Sequence, residues 1–184
     1  MVCDVPLAMA RSPRLSLPSF PHYVIQRGNN RQPIFLTPKD YEVLLDCLRE
    51  AKRKCQARLY AYVLMTNHVH LLMEPEHEGD SGRLMQSVGR RYIRSINHAY
   101  ERTGTLLEGR FKSAIVSRNE YLIMCSRYIE LNPVRAGMVR HPLDYRWSSY
   151  HGRAMGRPDP LLDADPWYVT LGASPQARAV AYAK

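Results

Sequence analysis

Nowhere does the chain stay apolar for the roughly 18 residues that a bilayer-spanning helix needs, so an integral membrane role is not expected. Cysteine is sparse and scattered: Cys3, Cys47, Cys55 and Cys125 include no CxxC pair. That spacing excludes both a disulfide framework and a zinc knuckle. No secretory leader is legible, because the apolar run at residues 5–10 is short and follows Asp4 rather than lysines, and the reducing cytoplasm is the expected compartment. Acidic residues are in deficit as well. Asp and Glu number 17 against 26 Lys and Arg, a formal charge of +9, and none falls between Gly82 and Tyr100. Arginine dominates the excess, and its planar fork donates bidentately to phosphate oxygens, so nucleic acid is the leading partner class.

What is present is enough for one domain with tails: 184 residues, 45% of them hydrophobic. Residues 1–20 are rich in proline and serine without periodicity and read as a flexible N-terminal arm. HYVIQR at residues 22–27 alternates like a strand and runs into Gly28-Asn29-Asn30, a turn with glycine available for positive φ. Thr37 has the character of an N-cap, with Pro38 at the first helical position, Asp40 in the first turn, and Tyr41, Leu44, Leu45 and Leu48 at helical spacing to about Lys54.

The segment AYVLMTNHVHLLMEP at residues 61–75 is the centre of the chain. It reads as two strands joined at Thr66-Asn67, and alternation sends His68 and His70 to one face while Val69 goes to the other. Two imidazoles on one strand face suit a divalent metal with open positions left for substrate oxygens. Alone, the spacing equally fits a solvated strand face. After an acidic, flexible stretch at residues 76–82, a second helix begins near Arg83, with Leu84, Val88, Tyr92 and Ile96 as its apolar stripe and Arg83, Arg90, Arg91 and Arg94 opposite. Arg90, Arg91 and Arg94 are candidate nucleic-acid contacts, as are Arg110 and Lys112 in the basic turn entering a fourth strand and Arg27, Asn29 and Arg31 around the first turn; the Gly28–Arg31 turn or the N-terminal arm is the candidate reader of unpaired bases. A helix follows over residues 119–132, with Asn119 as its N-cap. Tyr128 and Asn132 lie four apart on one of its faces, and Pro133 leaves Asn132 at the helix end, where its side chain is free to reach outward.

Together HVH on a strand, YIELNPVRAG downstream and the early HYVIQRGNNRQPIF resemble the single-tyrosine HUH transposases of the IS200/IS605 superfamily, more closely the REP-associated tyrosine transposases. The resemblance runs from about Arg11 to Tyr150 and ends with PLDYRWSSY. It implies an α+β, ferredoxin-like domain over residues 21–150, the HUH endonuclease fold: an antiparallel sheet with helices packed on one face, its two central strands carrying the histidines. It further implies Tyr128 as nucleophile and His68, His70 and Asn132 as ligands of Mg²⁺ or Mn²⁺. The implied substrate is single-stranded DNA with a REP-like hairpin, cut through a covalent 5′-phosphotyrosine by a monomer in preference to a homodimer. The alternative is a hairpin-binding protein that keeps the fold without cleavage. Residues 151–184 carry no motif and are expected as an irregular C-terminal extension.

Overall fold

Four strands, β1 (His22–Arg27), β2 (Ala57–Met65), β3 (His68–Pro75) and β4 (Lys112–Ile115), form one antiparallel sheet in the order β2-β3-β1-β4 in the computed structural model, which describes residues 16–117 and 120–183. Helix α1 (Pro38–Lys54) joins β1 to β2, and α2 (Asp80–Ala99) joins β3 to β4. The resulting β-α-β-β-α-β order is the ferredoxin-like arrangement. Local chemistry sets the boundaries. Thr37 and Asp40 form a capping box at the start of α1, and Asp40 Oδ2 accepts from the Leu36 and Thr37 amides at 2.7 and 2.8 Å. Helix α2 starts three residues earlier than its stripe suggests, because the Asp80 carboxylate accepts from the His77 amide and binds Arg83. Part of the expected flexible stretch is therefore helical.

Helices α1 and α2 cover one sheet face, burying Leu44, Leu48, Leu84, Val88 and Tyr92 against Val24, Leu64, Val69, Leu71 and Met73. The opposite face carries a further layer, helix α3 (Glu120–Glu130), whose Leu122 and Ile129 pack on Val63, Met65 and Leu72. Both histidines lie on β3 alone, one of the two central strands. The turn after β1 uses its glycine differently from expectation. Gly28 has φ −67, and positive φ falls on Asn30 and Arg31 instead. What excludes a side chain at Gly28 is proximity: a Cβ there would stand 2.3 Å from the Gln32 carbonyl oxygen and 2.7 Å from Ile34 Cγ2.

After the short α4 (Asn132–Arg135), the segment around Trp147 pairs with the outer edge of β2, since the Leu64 amide donates to the Trp147 carbonyl and the Ser149 amide to the Tyr62 carbonyl. The chain then forms α5 (Tyr150–Ala154), α6 (Pro166–Thr170) and α7 (Pro175–Ala183). Residues 151–183 are thus not irregular. Buried Arg153 donates to the Tyr60 carbonyl, Asp163 accepts from the Leu59 amide and pairs with Lys52 at 2.6 Å, and the Tyr182 hydroxyl donates to buried Glu130 at 2.7 Å. Contacts so distant in sequence leave no local periodicity to read. Of the expected arm, residues 1–15 lie outside the described residues, as do Arg118 and the proposed cap Asn119; within the described part, the Ser19 amide donates to the Pro75 carbonyl. No described helix is long and apolar enough to cross a membrane.

Leu161 is fully buried in the core beneath α1 and α2. Leu161→Ala should therefore cost ~2–5 kcal/mol in urea unfolding, as for a core leucine. A loss below ~0.5 kcal/mol, normal for a surface site, would return this segment to the status of an appendage.

Candidate active site

The register of β1 against β3 builds one wall of the site. Arg27 stands opposite His68, Ile25 opposite His70 and Tyr23 opposite Leu72, so these six side chains share the face that α3 covers. Val69, Leu71 and Met73 face the other core. His68 is half-buried and His70 is 6% exposed. Burial, then the neighbouring His68 and Arg27, holds the His70 imidazole down at about 3, and burial with Arg27 lowers His68. Both rings are neutral at physiological pH and able to act as ligands.

Each ring is held at Nδ1. His68 Nδ1 lies 2.6 Å from Asn67 Oδ1, while Asn67 Nδ2 donates to the Arg31 carbonyl at 2.9 Å. That second bond orients the amide, so Asn67 Oδ1 accepts and His68 carries its proton on Nδ1, leaving the Nε2 lone pair free. His70 Nδ1 lies 2.6 Å from the Tyr23 hydroxyl, and its Nε2 is buried with no partner among the described residues. A buried, unpaired polar atom is unfavourable by ~1–3 kcal/mol, and a cation bound at Nε2 would remove that penalty. Two imidazoles with seated Nδ1 atoms and bare Nε2 atoms fit a divalent metal. Among the described residues no cluster of three or more His, Cys, Asp or Glu is placed to hold a metal, so further donors would be an amide such as Asn132 Oδ1 or substrate oxygens.

Helix α3 brings the phenol to this wall. Leu122, Ser126 and Ile129 are on its buried face, and Tyr128 is left 44% exposed beside Tyr23 of β1. The Tyr128 ring meets the Tyr23 ring edge-on, centroids 6.2 Å apart at 90°. Its hydroxyl makes no hydrogen bond among the described residues. The Arg135 guanidinium lies 4.6 Å from the Tyr128 ring centroid. Asn132 opens α4 beside Pro133, and its side chain folds back rather than reaching outward: Nδ2 donates to the Tyr128 and Ile129 carbonyls at 2.9 and 3.0 Å. It satisfies the end of α3 and makes no hydrogen bond to either imidazole among the described residues.

The candidate DNA contacts fall on three surfaces. Arg27 shares the histidine face, as does Lys112, which pairs with Ile25. Asn29, Arg90 and Arg110 line an open groove of about 870 Å³ between α2 and the loop before β4, together with Arg83 and Gln86, and Arg94 lies farther along the same side of α2. Arg91 lies on that same arginine-lined side of α2 and also pairs with Glu50 of α1. Arg31 is exposed in the turn whose backbone holds Asn67. Sequence reasoning missed Tyr23, Asn67 and Arg135. Alternation in HYVIQR places Tyr23 with Arg27, yet only the strand register shows that it meets His70.

Neutral imidazoles beside an exposed phenol, on an arginine-rich chain, have the chemistry of a phosphodiester-cutting surface. The chain belongs to the family described as Transposase IS200 like, which matches residues 20–132, and is a DNA-cleaving enzyme by that membership. No curated protein matches. Among solved structures it is similar to the REP-associated tyrosine transposase bound to a REP hairpin, at 20% identity and a TM-score of 0.67, covering 85% of this chain and 93% of that one. A Deinococcus radiodurans R1 protein described as a transposase has 19% identity and a TM-score of 0.45 over 70% of this chain and 92% of its own. The first of these likenesses establishes the shared fold.

The buried His70 has a pH signature. Unfolded, its imidazole takes a proton near 6.5; folded, it resists until about 3, so the unfolded state binds more protons in between and stability falls as pH drops through that window. From about pH 6.5 to pH 5, His70 should remove ~2 kcal/mol from metal-free protein. Urea midpoints at both pH values should show that loss in the wild type and a correspondingly smaller one in His70→Gln. Equal losses would mean that His70 is not held neutral by the fold.

Proposed function

We propose that the protein is a metal-dependent single-stranded DNA endonuclease and strand-transferase that cuts beside REP-like hairpins through a 5′-phosphotyrosine on Tyr128. The observation that carries this reading is the position of Tyr23, which touches His70 through its hydroxyl and Tyr128 through its ring. Tyr128 and His70 of one chain thereby meet through a single side chain. This favours a monomer that works with its own tyrosine. Family membership supports DNA cleavage, and the hairpin as substrate rests on the fold shared with the hairpin-bound transposase.

The reaction is a transesterification. The Tyr128 oxygen gives up its proton as it attacks the scissile phosphorus, the bond to the 3′ oxygen breaks, and the departing strand end takes up one proton as a 3′-hydroxyl. The 5′ side stays esterified to Tyr128, so the bond energy is conserved and attack by a 3′-hydroxyl reseals a strand without ATP. His68 Nε2, His70 Nε2 and Asn132 Oδ1 would hold Mg²⁺ or Mn²⁺, which when bound supplies Lewis-acid polarisation of a non-bridging phosphate oxygen. Arg135 and Arg27 flank the same surface and add fixed positive charge for the phosphate. Hydrogen bonds through Nδ1 keep both imidazoles aimed without drawing on Nε2.

Incubated with a labelled hairpin oligonucleotide and Mn²⁺, the protein should yield a slow protein-linked band on a denaturing gel that is absent in Tyr128→Phe. His68→Ala and His70→Ala should abolish cleavage with hairpin affinity kept within about a few-fold, since phosphate contacts carry most of the binding. Normal cutting by Tyr128→Phe, with loss in Tyr92→Phe or Tyr100→Phe, would move the nucleophile elsewhere.

Binding should weaken steeply with salt. Arg90→Ala and Arg110→Ala should each lower the log–log slope by about 0.7 to 0.9, whereas Arg91→Ala, already paired with Glu50, should leave it unchanged. Fluorescence anisotropy across a salt series measures the slopes; a drop for Arg91→Ala with none for the other two would place the DNA on the α1 side.

A further inference from the structure

Tyr23 lies on β1 and has no part in the sequence reading of the site, yet it is the residue through which the two halves of that site meet. Its ring and that of His70 are nearly parallel, 4° between planes with centroids 5.6 Å apart, and the hydroxyl closes on His70 Nδ1 at 2.6 Å. Such an approach leaves His70 little freedom to rotate or flip. The Tyr23 ring also meets the Tyr128 ring at 90°, with centroids 6.2 Å apart. Cys125, one turn before Tyr128 on α3, also stands close enough to Tyr23 to perturb it electrostatically. Tyr23 is half-buried, and strand pairing on both sides, to Leu72 of β3 and Ala114 of β4, fixes its backbone.

We infer that Tyr23 is a positioning residue with two separable parts: its hydroxyl accepts from His70 Nδ1–H and so presents Nε2 to the metal, while its ring is the seat that holds Tyr128 at the strand face. The inference rests on the proposed function, because it assigns Tyr23 a role toward the metal and the nucleophile named there. The two parts make different demands. A hydroxyl that fixes a tautomer acts on metal affinity, and partners of this kind typically change it about 10–100-fold. A ring that seats a nucleophile acts on the rate once metal and DNA are bound, because positioning is a property of the assembled complex.

The test uses the full chain, Mn²⁺ alone as the metal probe, and two variants. Tyr23→Phe keeps the ring and removes the hydroxyl; Tyr23→Leu removes both. For Tyr23→Phe, calorimetry should show Mn²⁺ binding weakened about 10-fold or more, and cleavage should return toward the wild-type rate at saturating Mn²⁺. For Tyr23→Leu the rate should stay low at saturating Mn²⁺, with hairpin affinity unchanged. In metal-free protein, ¹⁵N NMR should find His70 protonated at Nδ1 in the wild type and as a mixture of tautomers in Tyr23→Phe. Unchanged Mn²⁺ affinity in Tyr23→Phe, or a wild-type His70 protonated at Nε2, overturns the hydroxyl's role; full activity of Tyr23→Leu at saturating Mn²⁺ overturns the ring's. A wild type that binds no Mn²⁺ and cuts no hairpin is the separate failure of the functional reading, and the NMR still reports on the Tyr23–His70 bond in that case. Thermal unfolding of both variants shows whether they fold, and Tyr23→Phe carries the decision if Tyr23→Leu does not.

Discussion

Strand β3 has to satisfy two different layers at once, and its alternation is the constraint on which the rest of the site depends. Val69, Leu71 and Met73 are buried beneath α1 and α2, while His68, His70 and Leu72 face α3. A slip of one residue would drive both imidazoles into an apolar core and pull Val69, Leu71 and Met73 out of it, so the register is held by burial on both sides. The histidines need no special device to share a face. They obtain it from the same hydrophobic pattern that makes the strand central.

The second layer turns that face into a site. A solvated strand face would leave the imidazoles free to protonate and reorient; α3 buries His70, lowers its proton affinity and brings Tyr128 alongside. The helix is itself held from behind. Buried Glu130 accepts from Ser149 and Tyr182, and Arg127 donates to the Ala181 carbonyl, so residues near both ends of the C-terminal segment fix the helix that presents the phenol. Burial raises the Glu130 carboxyl to about 7.

Much of this was legible because it is local. The strand HYVIQR, the Thr37-Pro38-Asp40 helix start, the Thr66-Asn67 hairpin and the stripe on α2 depend on neighbours within a few residues, and each stands where its pattern places it. That His68 and His70 share a strand face was legible in the alternation, whereas Tyr128 was singled out through resemblance. Tyr23 and Arg135 were not, since their positions beside Tyr128 arise from strand register and from where α4 follows α3. The C-terminal helices escaped for a related reason: Arg153, Asp163 and Tyr182 act through β2 and α3, at separations that leave no periodic trace. The pairing of Arg91 with Glu50 on the neighbouring helix is likewise invisible in the basic stripe itself.

The central claim is that Tyr128 becomes covalently joined to DNA. Trypsin cuts after Arg127 and Arg135, which isolates Tyr128 in the peptide of residues 128–135, apart from Tyr121 in residues 119–127. After reaction with a hairpin oligonucleotide and Mn²⁺, nuclease trimming and tryptic digestion, mass spectrometry should find a 5′-nucleotide remnant on Tyr128, with none on Tyr121, Tyr23 or Tyr92. A remnant on any of those other tyrosines, or cut DNA with no tyrosine adduct at all, would contradict it.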